Sequence, residues 1–172
     1  FMLLFAIPYF LMKKYRKMPD HNFGLQKGDL NLNKILYIVS LVAIIVVWFG
    51  SEDPNLQNEY PLSKNIASSI WLIIIYEFFY FFYYIGWEFH FRGFLTLGLS
   101  DKNKWFAIIY ATILSTLMHY GKPISEIIGA AFIGILFGVL ILKGKSVGPF
   151  LFVHYLLGVA NDIFCLIRLG LL

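Results

Sequence analysis

Charged residues are scarce in this chain: Asp, Glu, Lys and Arg make up 14% of its 172 residues, against about a quarter in soluble domains. Cysteine is nearly missing. The one thiol, Cys165, lies in an apolar run, which excludes a disulfide framework or a thiolate metal cluster and leaves it a packing role. A basic patch is missing too. The net charge of +4 is spread over loops between apolar segments, so it reports topology, and nothing resembles a nucleic-acid module. Hydrophobic residues fill the space at 59% of the chain, with 19% aromatic. This composition specifies an integral membrane protein of the all-α class, a polytopic transmembrane helical bundle. One domain, residues 1–172, is enough at this length.

The chain opens on Phe1, and the apolar run to Met12 is too short to span a bilayer, so the sequence is expected to be cut inside a first transmembrane helix. Apolar segments place helices at about 1–12, 35–50, 66–99, 105–119, 124–142 and 149–168. Pro123 and Pro149 each suit the opening of a helix. Lys13, Lys14, Arg16, Lys17, Lys27, Lys34, Lys102, Lys104, Lys143 and Lys145 fall on one side of the membrane in this arrangement. Lys64, Lys122 and Arg168 fall on the other, with Glu52, Asp53 and Glu59. Basic loops face inward, and the expected location is a prokaryotic inner (plasma) membrane. Ala130, Gly134 and Gly138 recur every four residues, a stripe that lets two helix backbones approach closely, within the chain or between chains.

Inside these spans, Trp87-Glu88-Phe89-His90-Phe91-Arg92-Gly93 puts three titratable side chains into a lipid-soluble run. A charge there costs at least ~2.5–3.5 kcal/mol on insertion scales, so it must be paired or hydrated. Glu88 and Arg92 are four residues apart, on one helix face. An ion pair that locks the bundle and a catalytic carboxylate held by an arginine both fit that spacing. At ~1.5 Å per residue, Glu88 lies ~20 Å from the inner interface, His119 ~22 Å, His154 ~14 Å and Asp162 ~26 Å. The four can therefore converge from three helices on one internal polar cavity. Such a set can activate water with Glu88 as general base and stabilise an oxyanion with the histidines. It can equally hold a zinc ion through His119, His154 and Glu88.

Glu77 lies three turns before Glu88 and is expected as a support or access residue; Glu126, in the first turn after Pro123, is expected as a helix cap. His90 points elsewhere on its helix, toward packing or an interface. His21 reads as a solvated loop residue. The aromatic residues between Tyr76 and Tyr84 read as helix packing and belt residues.

At these positions the chain resembles the CPBP family of intramembrane proteases, also called the CAAX protease and bacteriocin-processing or Abi family. In the family's first motif, Glu-Glu-xxx-Arg followed by Gly, the second Glu, the Arg and the Gly are matched by Glu88, Arg92 and Gly93, and the first Glu is Trp87 here. Leu117-Met118-His119 matches a second motif that ends in histidine. The last motif is histidine followed four residues later by Asn, Asp or Ser; His154 matches it, with Gly158 in the polar position and the polar partner expected one turn on, at Asn161 or Asp162. A bacterial subgroup with a Trp-Glu-Phe-x-Phe-Arg-Gly motif and a His-x-Gly-Lys-Pro segment is similar in both departures.

The resemblance implies a helical bundle with a water-accessible cavity and peptide-bond hydrolysis at or within the membrane. In that reading Glu88 activates water, Arg92 orients it, His119 and His154 polarise the scissile carbonyl or bind metal, and Asp162 orients a histidine. Asn161, Glu77 and Glu126 are secondary candidates. The implied partners are a protein or peptide substrate and the lipid bilayer. Trp87 and Gly158 also raise the alternative of a non-catalytic membrane scaffold of the same fold that binds another membrane protein. A proton- or ion-coupled carrier would use the same residue types, but the short chain has no internal repeat of the kind carriers often have.

Overall fold

The structure is a computed structural model that describes residues 1–17, 23–27 and 30–172; His21 lies outside them. Among the described residues the chain is helical, without strands. In order come α1 (residues 2–16), α2 (Leu30–Gly50), α3 (Pro54–Glu59), a 3₁₀ turn at Lys64–Ser68, α4 (Ile70–Leu97), α5 (Lys104–Leu117), α6 (Ile124–Gly144) and α7 (Gly148–Arg168). Polar side chains set several starts by accepting otherwise unpaired backbone N–H groups. Asp53 accepts from Asn55 N–H at 2.9 Å, Ser69 from Trp71 N–H at 3.3 Å and Asn103 from Phe106 N–H at 3.0 Å. The cap at Ser69 is why α4 begins at Ile70 and not near residue 66. Pro123 caps α6 and Pro149 lies in the first turn of α7.

Three helices are long and apolar enough to cross a membrane: Ile70–Leu97, Ile124–Gly144 and Gly148–Arg168. The apolar part of α2, Lys34–Gly50, and α5 are shorter. The outward faces carry apolar side chains, with Trp71 69%, Phe79 67% and Phe132 70% exposed. An exposed apolar belt of this kind belongs against lipid, and with the polar interior described below it marks an integral membrane protein.

The closest helix pairings are α5 with α6 and α2 with α7, while α4 touches α5, α6 and α7. The small-residue stripe is used within the chain. A Cβ added at Gly134 would come within 2.7 Å of Thr112 Cγ2, and one at Gly138 within 2.8 Å of Ile108 Cγ2, so α5 rides directly on the α6 backbone. Beneath the cavity, Leu36, Leu97, Phe137, Ile141, Val147, Phe150 and Val153 form a buried apolar floor.

Past Glu88, α4 widens to π-helical geometry over Phe89–Leu97. The Thr96 hydroxyl donates to the Phe91 carbonyl, five residues back, at 2.7 Å. Wide turns of this kind recur where a helix must re-aim its side chains. Gly93 lies under the 23–27 loop: a Cβ there would stand 2.6 Å from the Phe23 carbonyl oxygen. That loop also ties to the start of α7, where Val147 N–H donates to Gly24 O at 2.9 Å and Ser146 Oγ to Gln26 O at 2.6 Å.

Candidate active site

Glu88 ends the regular part of α4 and is the most buried carboxylate among the described residues. Its Oε1 lies 2.6 Å from Nδ1 of His154, on α7, and its Oε2 lies 3.5 Å from Nε of Arg92, one turn on. Glu88 is 0% exposed while the His154 side chain is 29% exposed. A carboxylate accepts hydrogen bonds only, so Nδ1 is the donor and Nε2 is the lone-pair nitrogen of neutral His154. Arg92 supplies the counter-charge without which a carboxylate this deep would be unstable. Its guanidinium also stands over the Phe137 ring at 5.6 Å. Arg92 Nε and Nη1 have no hydrogen-bond acceptor among the described residues.

These groups border a cavity of about 320 Å³ between α2, α4, α5, α6 and α7. Its wall is mainly apolar, from Val46, Val47, Ile133, Phe137 and Leu157, and its polar members include His119, Glu126, His154, Asn161 and Asp162. Arg92 reaches the wall; Glu88 stands behind it. Glu88, expected to be the group that meets the water, reaches the cavity through its neighbours. Its two oxygens face His154 and Arg92, and the imidazole is the group a molecule in the cavity would touch.

His119 follows α5, with Nδ1 2.7 Å from the Ser115 carbonyl oxygen. A carbonyl only accepts, so Nδ1 again carries the hydrogen and Nε2 faces Glu126 Oε1 at 3.8 Å. Glu126 in turn accepts from the Tyr60 hydroxyl at 2.6 Å. The expected helix cap is thus a wall residue as well: its carboxylate turns toward His119 because Tyr60, from the segment after α3, holds it there. Burial and this hydrogen bond raise the Tyr60 phenol above its ordinary range, so it stays a donor at neutral pH.

Asp162 is placed differently from its expected role. Its carboxyl meets that of Glu77, beside Tyr76, and no hydrogen bond joins it to either histidine. The reason is rotational: eight residues from His154 leave Asp162 about 80° off its line on α7, turned toward α4 one level higher. Glu77, also buried, is its neighbour there. Asn161 does border the cavity but accepts the Cys165 thiol, with Sγ 4.0 Å from Oδ1. Neither residue takes over as partner of His154, since Glu88 already holds that position.

The zinc site expected from His119, His154 and Glu88 does not fit this arrangement. Among the described residues no three His, Cys, Asp or Glu side chains are grouped as metal ligands, and Glu88 is committed to His154 and Arg92. Trp87 stands edge-on to both histidines, 5.3 Å from the His119 ring and 6.5 Å from that of His154. The indole thus packs between α5 and α7 where the resembling family carries the first Glu of its motif. His90 lies off the cavity, against Phe91 and Phe94, as its position on the helix implied.

Reading by residue type alone missed Tyr60, Tyr80 and Tyr84, all on the cavity wall. Tyr84 carried a usable signal, because it precedes Glu88 by four and so shares its face.

No curated protein and no solved structure matches the chain. The sequence model of the Type II CAAX prenyl endopeptidase Rce1-like family matches residues 67–160, more than half of the chain. That segment runs from the turn before α4 past His154 in α7 and includes Glu88, Arg92, His119 and Gly158. The chain belongs to this CAAX protease family of membrane endopeptidases.

Proposed function

We propose that this protein hydrolyses a peptide bond of a membrane-associated or lipidated protein or peptide, with the Glu88–His154 pair as its base. The observation that carries this reading is the 2.6 Å contact between a fully buried carboxylate and a cavity-facing imidazole. A water molecule gives a proton to His154 Nε2 as its oxygen attacks the scissile carbonyl carbon, and the carbonyl electron pair moves onto its oxygen. Glu88 holds the ring in the Nδ1–H tautomer and stabilises the imidazolium that forms. The imidazolium then returns the proton to the departing nitrogen as the C–N bond breaks, leaving one carboxyl and one amine end.

Arg92 keeps Glu88 ionised, so in this reading it orients the base and only through it the water. His119, held through its Nδ1–H by the Ser115 carbonyl, faces Glu126 on the cavity wall and positions the substrate carbonyl. Asp162 and Glu77 support the wall and Asn161 lines it. The protein works as a single domain in a prokaryotic inner membrane, with its lysine-rich ends in the cytoplasm, and the apolar cavity wall suits an apolar or lipidated segment beside the scissile bond.

Quantitative profiling of peptide termini, in membranes carrying the wild-type protein or Glu88→Gln at matched expression, tests the reading. Ends that vanish in the variant establish proteolysis and identify the substrate. Identical profiles overturn it and favour the scaffold reading that Trp87 and Gly158 raise.

A further inference from the structure

Gly158 lies one turn after His154 on the cavity side of α7, where a side chain would project beside the imidazole. That space is already taken. A Cβ built on Gly158 would overlap the Tyr84 hydroxyl oxygen and come within 2.7 Å of Tyr84 Cζ, so a phenol from α4 fills the volume that a residue at 158 would occupy. The Tyr84 ring stands edge-on to His154 with centroids 4.8 Å apart. It borders the same cavity, and its hydroxyl has no hydrogen-bond partner among the described residues. A buried tyrosine ordinarily finds one.

We infer that Tyr84 is a catalytic residue whose hydroxyl, seated over Gly158, donates a hydrogen bond to the carbonyl oxygen of the scissile bond as negative charge develops there. The inference rests on the peptidase reading and adds a group to it. Three features make the phenol suited to this task. It is held rigid between His154 and Tyr155, the latter ring at 5.7 Å. Its donor hydrogen is uncommitted, so none must be broken away during reaction. It lies on the same helical face as Glu88, one turn earlier, so base and donor are carried by one helix and move together. Preorganised donors of this kind contribute because they are aimed before the charge appears. No proton leaves the phenol in the step; the hydrogen bond forms with the oxyanion and relaxes when the C–N bond breaks.

The test uses the full chain in membranes and follows the peptide ends that disappear in His154→Ala. Tyr84→Phe keeps the ring packing and removes only the hydroxyl. The expected result is a fall of about 10²–10³ in the cleavage rate of those ends, with thermal retention of the folded protein unchanged. Tyr84→Leu combined with Gly158→Asn, which clears the space and supplies a new donor from α7, is expected to cleave at least about tenfold faster than Tyr84→Leu alone, since a donor is restored where one was lost. If Tyr84→Phe cleaves at the wild-type rate while His154→Ala is inert, the inference is overturned and the peptidase reading stands. If no end depends on His154, the peptidase reading fails and the inference falls with it.

Discussion

Glu88 is a residue whose removal separates two effects that usually coincide. Its carboxylate both holds His154 in one tautomer and neutralises Arg92. Glu88→Gln should reduce turnover by about 10²–10⁴, the range for loss of a positioned acid–base group. It should also destabilise the fold, because breaking a buried ion pair leaves Arg92 uncompensated at a cost of about 3–5 kcal/mol. Adding Arg92→Met removes the stranded charge: thermal retention recovers, and cleavage does not. A double variant that regains cleavage would show that the pair only locks the bundle. Asp162→Asn is the contrasting case. Its side chain meets Glu77 and not a histidine, so cleavage should survive far better than in His154→Ala, measured on the same peptide ends. Spacing alone could pair Glu88 with Arg92, since both lie on one helix. It could not decide between Glu88 and Asp162 as the partner of His154, because that depends on the rotation of α7 relative to α4.

At the scale of helices, the α5–α6 contact offers the most direct check. Gly138 leaves room for Ile108 and little else, so Gly138→Leu should force the helices apart and cost about 1–3 kcal/mol, the usual range for overpacking. Loss of thermal retention without loss of membrane insertion is the expected signature. Gly129, where an added Cβ meets nothing within 4 Å, should accept Ala without effect. The stripe was legible as a motif, and so were the long spans, because apolar length and flanking lysines are local properties. The wide turn over Phe89–Leu97 and the short helix Pro54–Glu59 were not anticipated. The second had a visible cue, Asp53 followed by Pro54, which the acidic character of the loop obscured. The first arises from packing: Gly93 must pass beneath the Phe23 carbonyl, a contact between segments seventy residues apart.

The molecule as a whole keeps its two ends distinct. At the end that carries α3 the cations are matched: Arg168 Nη2 lies 2.8 Å from Glu52 Oε1 and stacks over Trp48, Lys122 bonds Glu59, and Lys64 bonds the carbonyls of Tyr60 and Pro61. These bonds draw the segment around α3 across the cavity mouth, where Leu56 and Tyr60 form part of the wall. Cysteine accessibility would test the two-sided arrangement. Tyr120 and Lys102 are both exposed, at opposite ends of α5. Cysteines there should react with a membrane-impermeant maleimide from opposite sides, Tyr120→Cys from outside and Lys102→Cys only after the membrane is opened, while buried Cys165 stays silent. Labelling of both from outside would contradict the orientation.

Trp87, packed edge-on between two imidazoles, also gives the protein an internal optical reporter. Trp71 and Trp105 are exposed and Trp48 lies under the Arg168 guanidinium, whereas Trp87 is buried beside the cavity. Indole emission depends on the polarity of what surrounds the ring, so the fluorescence of this one residue should follow what enters the cavity beside His119 and His154. In a variant that keeps Trp87 as its sole tryptophan, emission should change when a peptide displaces water from the cavity, giving a readout of occupancy that requires no bond to be cut.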